Sequence, residues 1–457
     1  MQIGVWISLA LYFVLMLAIG VYAWRKSTSS SEEYMLGGRN LPPAVAALSA
    51  GASDMSGWLL LGLPGALFVS GLTQSWIGIG LFVGAFVNWI VVAPRLREQT
   101  ERYDNALTIP GFLANRFPSH ATLLRMVSAV IIVVFFAVYT ASGLVGGGKL
   151  FASAFGGSYM TGVILTLGVV LVYTVIGGFL AVSLTDFVQG CIMMLALVIM
   201  PIVILTTGQG DGVDAAASRL SDIDPNFLSM TNGLTFAGWL SAVAWGLGYF
   251  GQPHIIVRFM AVRSVGIFGR AYAQRNGLDV QDPETIFIIL SNLLFHPLVT
   301  GFLYAALLAA IMSTVSSQLL VSSSSLTEDF YKIVFNKEAS DRALVNVGRL
   351  AVLAVGIAAI IIASNPDSKV LGLVSNAWAG FGAAFGPLII LSLTWKRMTG
   401  LGGVAGLVVG ALTVIVWISL GWGSFLYEII PGFIAAFIAI IVVSLASEDR
   451  GEFRPIE

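Results

Sequence analysis

The residues best suited to chemistry in this chain interrupt stretches that are otherwise apolar. One run reads Gly51-Ala-Ser-Asp-Met-Ser-Gly57-Trp58, with a carboxylate at Asp54, hydroxyls at Ser53 and Ser56 and a glycine at either end. Glycine lets a helix unwind and bare its carbonyl oxygens, which membrane interiors tolerate only where protein or a wet cavity surrounds them. An Asp at mid-membrane depth costs about 2.5–3.5 kcal/mol, so Asp54 needs a partner or such a cavity. Two roles are open to it: stapling the break by accepting bonds from nearby N–H groups, or contacting a ligand.

A second interruption, Trp245-Gly-Leu-Gly-Tyr249-Phe-Gly-Gln252-Pro253-His254, lies five apolar spans further on. Glycine and proline are common in membrane helices, yet two breaks at corresponding positions fit a pair of inverted repeats with a solute held between broken helices. A third run, Ala309-Ala310-Ile311-Met312-Ser313-Thr314-Val315-Ser316-Ser317-Gln318, puts hydroxyls on consecutive helical positions. Alone, such residues often only pack helices together. Paired with bare carbonyls near Ala52 and Met55, Ser313 and Thr314 would complete an oxygen shell for a small hard cation, a donor set that excludes a zinc-like site. Tyr139, inside a span, reads most simply as packing, and Asp186, at the start of one, as a helix N-cap. His120, His254 and His296 are far apart and no His-Glu-x-x-His motif occurs, so the pattern gives little support to a membrane hydrolase or redox enzyme.

The elements that must position these residues are membrane helices. Of 457 residues, 57% are hydrophobic and 10% charged, against about 25% charged in a soluble domain. Twelve apolar segments stand near 4–24, 41–69, 71–93, 126–150, 159–180, 187–206, 236–260, 297–326, 350–363, 370–393, 402–420 and 429–445. The bilayer is the expected partner of most of the chain. A formal charge of −1 without a basic tail argues against nucleic acid, and Cys191 is alone, so no internal disulfide can form.

Arg25 and Lys26 follow the first segment and no Lys or Arg precedes it, the reverse of a signal peptide, which predicts a retained span with its N-terminus outside. Arg95, Arg97, Arg102, Arg116 and Arg125 place the third loop inside. The alternation then fails, because Arg258 and Arg263 and later Lys332, Lys337, Arg342 and Arg349 flank one visible span yet all belong inside. A crossing between Arg263 and Arg270 would repair it, but seven extended residues reach at most about 25 Å, short of a core of about 30 Å. The charge pattern therefore predicts thirteen crossings with one helix missing near Ser264, and a cytoplasmic C-terminus for the complete protein.

At these residues the sequence resembles the solute:sodium symporter family, closely its bacterial sodium/proline branch. The matching segments are Gly37-Gly-Arg39, Ala47 through Trp58, Gly177-Gly-Phe-Leu-Ala-Val-Ser183, Trp245 through Met260, and Ala377-Trp-Ala-Gly-Phe-Gly-Ala-Ala-Phe-Gly-Pro387. The resemblance implies an all-α polytopic membrane protein of thirteen helices with a LeuT-type core. One transporter domain, 1–457, would comprise an extra helix at 4–24, five-helix repeats at 41–206 and 236–393, the second short of one helix, and two final helices at 402–445. It implies a sodium site of backbone oxygens at Ala52, Met55 and Ala310 with the hydroxyls of Ser313 and Thr314. The matching solute positions are Ser56, Gly57, Trp58, Tyr139, Trp245, Tyr249, Gln252 and Pro253, while Arg39, Asp54 and Asp186 would serve coupling or structure. The function implied is sodium-coupled uptake of L-proline across a bacterial inner membrane. Sodium- or proton-driven symport of pantothenate, a sugar or a sialic acid is the alternative. A sensor would need a signalling domain where only about a dozen residues follow Leu445, and a channel would not need two broken helices around one pocket. Oligomeric state is not legible.

Overall fold

The computed structural model describes residues 3–26, 52–92, 95–96, 99, 102–103, 109–206, 212–252, 281–336 and 338–448. These residues are nearly all helical, as a chain must be when its backbone N–H and C=O groups have no water to bond. The chain runs through α1 (Ile3–Lys26), a π turn (Trp58–Gly62) leading into α2 (Leu63–Ser70), α3 (Ser75–Val91), α4 (Ile109–Arg116), α5 (Ala121–Phe155), α6 (Tyr159–Thr206), α7 (Gly212–Ile223) and α8 (Phe236–Val243). It continues with a 3-10 segment (Ala244–Gly251), α9 (Ile286–Leu294), α10 (Pro297–Ser324), α11 (Asp341–Ala363), α12 (Val370–Thr394), α13 (Gly400–Ser419) and α14 (Ile429–Ala446). Several starts are fixed by hydroxyl caps: Thr235, Ser340 and Thr399 accept from the N–H groups of Gly238, Ala343 and Gly402.

Among the described residues nine stretches are long and apolar enough to cross a membrane. Two of them hold more than one of the expected segments. Trp58–Asn88 is divided where α2 ends at Gly71, whose φ of 68° only glycine adopts readily. Tyr159–Ile204 is divided at Gly178, with φ 56°. The latter corrects the reading of Asp186. The break lies eight residues before it, so Asp186 sits within a continuous helical run and does not cap a helix. The expected span at 236–260 is broken after Val243, and beyond Gln252 it lies outside the described residues, as does the proposed missing crossing near Ser264.

Burial separates core from periphery. Within their most apolar windows α10 and α12 are 83% and 89% buried inside the protein, whereas α1 and α14 are 28% and 33% buried and offer the rest to lipid. The core helices carry the small and hydroxyl residues, since neighbouring backbones approach closely only where side chains are short. The end of the bundle where α1 begins also holds the end of α5, where Trp6 stacks on Phe155 at 5.0 Å, and the end of α11, where Tyr159 donates to the Ala363 carbonyl at 2.8 Å.

Candidate functional site

The first break is short and well defined. Ala52, Ser53 and Asp54 are helical, Met55 is a bend, and the helix resumes at Gly57. The Asp54 carbonyl turns back to accept from Ser56 N at 2.8 Å. The two carbonyls before it go to another helix. Ser313 Oγ donates to the Ala52 carbonyl at 2.7 Å and Thr314 Oγ1 to the Ser53 carbonyl at 3.0 Å. Both hydroxyls also lie within reach of the Ala310 carbonyl, at 3.3 and 3.2 Å.

Ala52, Ala310, Ser313 and Thr314 thus converge as expected, with Met55 at the adjoining bend. The convergence includes the Ser53 carbonyl, which sequence reasoning missed. All of these oxygens are hard donors. If the two hydroxyl hydrogens rotate away, their lone pairs and the carbonyls of Ala52, Ser53 and Ala310 form an oxygen-only set suited to a small cation. One turn further along α10, Ser53 Oγ lies 2.8 Å from Ser317 Oγ and donates to Asp186 Oδ2 at 3.2 Å. Asp186 is fully buried there, which makes it part of the contact between α6, α10 and the first break.

The second break has a different construction. After α8 the chain tightens to 3-10 geometry and leaves it at Gln252 in an extended conformation. A Cβ at Gly246 or at Gly84 would strike the other strand of backbone, so α3 packs directly on this segment. What the second break projects is aromatic. Trp245 lies 6.3 Å from Trp58, and Tyr249 meets Trp378 edge-on at 4.9 Å. Trp378 Nε1 donates to the Trp245 carbonyl at 2.7 Å and Gln252 Nε2 to the Trp378 carbonyl at 3.4 Å. Trp378 and Tyr427, which stacks on Trp245 at 5.4 Å, were not expected at the site.

The two breaks are joined by a side-chain bond, Tyr249 Oη to Asp54 Oδ2 at 3.2 Å. Tyr139 is buried within electrostatic reach of Asp54, beside the first break. Ser56, Trp58, Tyr139, Tyr249 and Gln252 are all buried, and Gly57 packs on Ile311. The buried polar atoms here without a hydrogen-bond partner among the described residues include the donor Trp58 Nε1 and the acceptor Gln252 Oε1. Arg39 and Pro253 lie outside the described residues.

Above this centre, toward the end where α1 begins, opens a cavity of about 620 Å³ lined in part by Trp245, Asp282, Glu284, Lys369, Asn376 and Glu428. An ion cluster closes one wall. Lys149 Nζ lies 2.8 Å from Asp282 Oδ2 and 2.6 Å from Glu284 Oε2, and Lys369 Nζ lies 3.0 Å from Asp282 Oδ1. Glu284 also accepts from the N–H groups of Val370 and Leu371 at the start of α12. Burial pushes the Asp282 carboxyl up, but Lys149 and Lys369 outweigh it and hold the group below its ordinary value.

The sodium:solute symporter family model matches residues 34–275 and 264–410. The high-affinity proline transporter PutP of Bacillus subtilis is 54% identical over 95% of this chain and 96% of its own length. The osmoregulated proline transporter OpuE of Bacillus subtilis is 51% identical over 98% and 96%. The sodium/proline symporter of Staphylococcus aureus is 49% identical over 98% and 94%. A solved structure of a Na+-coupled sialic acid symporter in a substrate-bound outward-open state superposes with a TM-score of 0.81 at 19% identity, covering 99% of this chain and all of that one. At that identity the likeness is one of fold, and the fold is LeuT-type. Matched by the family model over most of its length and by relatives at about half identity, the chain is a multi-pass membrane protein that belongs to the sodium:solute symporter family.

Proposed function

We propose that this protein couples sodium entry to uptake of L-proline by alternating access. The observation that carries the reading is the Asp54–Tyr249 bond between an oxygen-rich break and an aromatic one, supported by the proline transporters and sodium/proline symporters to which the chain is 49–54% identical. Sodium takes the oxygens of Ala52, Met55, Ala310, Ser313 and Thr314, with Ser53 added. Binding there stiffens the contact between the first break and α10 and so orders the adjoining solute positions. Coupling is reciprocal, and proline tightens sodium.

The solute's flat apolar ring lies among Trp58, Tyr139, Trp245 and Tyr249. Its carboxylate meets N–H groups at the resumed helix near Ser56 and Gly57, with Trp58 Nε1 as a buried donor in reserve, and its ammonium meets the Gln252 carbonyl oxygen. Both orphaned atoms would thereby be satisfied. One sodium ion moving down 100 mV releases about 2.3 kcal/mol, and a tenfold sodium gradient about 1.4 more, enough together for roughly 400-fold accumulation at one-to-one stoichiometry.

The N-terminus lies outside and the C-terminus in the cytoplasm, so the 620 Å³ cavity faces outward. The missing crossing that the charge pattern expects between Arg263 and Arg270 is part of this reading and has two supports. The family model matches in two stretches that overlap at 264–275. The alignment to the Staphylococcus aureus symporter runs over 486 residues, more than the 457 of this chain, so that relative carries residues this chain lacks. The described site residues all lie outside that stretch, and binding is expected of the chain as it stands. The test is uptake of tritiated proline into proteoliposomes with sodium outside, against choline. Uptake is expected only with sodium, and to rise when the relative's residues are inserted after Arg263. Equal uptake in choline would overturn the coupling.

A further inference from the structure

Helix α1 offers most of its surface to lipid, yet one of its side chains reaches the helices that carry the oxygen set. Its buried positions are Val5, Leu9, Tyr12, Met16, Gly20 and Ala23, a stripe on one face. Tyr12 alone among them carries a polar side-chain atom. A phenyl ring would pack in its place without a hydroxyl to satisfy, so packing explains the ring and not the hydroxyl.

That hydroxyl is bonded on both sides. It accepts from Gln189 Nε2 of α6 at 2.9 Å and donates to Met312 Sδ of α10 at 3.5 Å. A second tyrosine, Tyr173 of α6, donates to the Met312 carbonyl at 3.1 Å. Met312 directly precedes Ser313 and Thr314, whose hydroxyls meet the Ala52 and Ser53 carbonyls. Gln189 lies one turn beyond Asp186, which accepts from Ser53 Oγ. Successive residues on a helix point about 100° apart, so the rotation of α10 about its axis decides whether Ser313 and Thr314 face the first break. Above this point α10 carries Gly301, Ala305, Ala306, Ala309 and Ala310, and such small side chains permit close approach but offer little to resist turning. Directional bonds to the side chain and the carbonyl of Met312 supply that resistance.

We propose that Tyr12 is a positioning residue for the sodium oxygens, acting through Met312 and Gln189 without touching the ion, so that the lipid-facing α1 sets sodium affinity. The inference rests on the sodium site of the proposed uptake reading.

The test is equilibrium binding of radioactive sodium to the purified protein without proline, resolved into affinity and sites per molecule, with the sodium dependence of proline binding followed on the same samples. Tyr12→Phe, which keeps the ring, should raise the half-saturating sodium concentration about fivefold or more through loss of one buried hydrogen bond, with the number of sites unchanged. Gln189→Leu should act alike, and the double variant should bind no more weakly than the weaker single one, because both remove the same bond. Ser8→Ala, which removes a bond from α1 to the Leu298 carbonyl at the start of α10, should keep the wild-type affinity. If Tyr12 only docked α1, Tyr12→Phe would lower the number of sites and not their affinity. That result overturns the proposal, as does an equal shift in Ser8→Ala or strict additivity of Tyr12→Phe and Gln189→Leu. Wild-type sodium binding to which proline binding is indifferent, together with the Tyr12→Phe shift, fails the uptake reading and leaves the positioning role standing. Sodium-dependent proline binding with sodium affinity unchanged in Tyr12→Phe fails the positioning role alone, and absence of sodium binding by wild type overturns both.

Discussion

The two broken helices meet at one bond, Tyr249 to Asp54, but they are opened by different means. At the first, residues 52–56, the proposed ion-binding surface is the backbone itself: two carbonyls accept from Ser313 and Thr314. At the second, residues 244–252, the backbone is packed against glycine-rich neighbours and the proposed solute surface is the side chains, a set of rings bounded by Trp378. A cation is best held by carbonyls and hydroxyls, and a flat apolar ring by aromatic faces. Two ligands of opposite character can then share one centre without competing for atoms.

Removing the α10 hydroxyls should separate the two halves most strongly. Ser313→Ala with Thr314→Ala is expected to raise the sodium concentration for half-maximal proline binding at least tenfold, equivalent to about 1.4 kcal/mol or more, while proline affinity at saturating sodium changes far less. An unchanged sodium requirement in that double variant would break the assignment of the first break.

Gly248 probes the other half. A Cβ there would run into the Trp378 indole, and overpacking of this kind costs about 1–3 kcal/mol. Gly248→Ala is therefore expected to weaken proline binding about tenfold or more and to leave sodium binding nearly intact, checked by sodium titration of intrinsic fluorescence. Equal losses for both ligands would mean the halves are not separable.

The smallest effect concerns the bond between them. A cycle of Asp54→Asn, Tyr249→Phe and the double variant should show a coupling of about 1 kcal/mol in proline binding, since the two side chains form one hydrogen bond. Strict additivity would make the contact incidental.

The positions of both breaks were legible because glycine, proline and polar residues stand out in apolar runs. The oxygen set was legible in part: hydroxyls at Ser313 and Thr314 announce themselves, whereas the Ser53 carbonyl belongs to a residue whose type says nothing about its backbone. Trp378 was hidden for a similar reason. It sits in the unbroken α12, where a tryptophan looks like any core residue, and its bond to the Trp245 carbonyl spans 133 positions of sequence. Asp186 was misread because the helix that holds it begins just after Gly178, eight residues earlier, where the backbone leaves helical geometry at φ 56°.

Reciprocity between sodium and proline at the centre is open to direct measurement. Titrating purified protein with proline at rising sodium, and with sodium at rising proline, should give the same factor of enhancement in both directions, as linkage requires of two ligands that stabilise one arrangement. Proline affinity that is the same in choline as in sodium would contradict it.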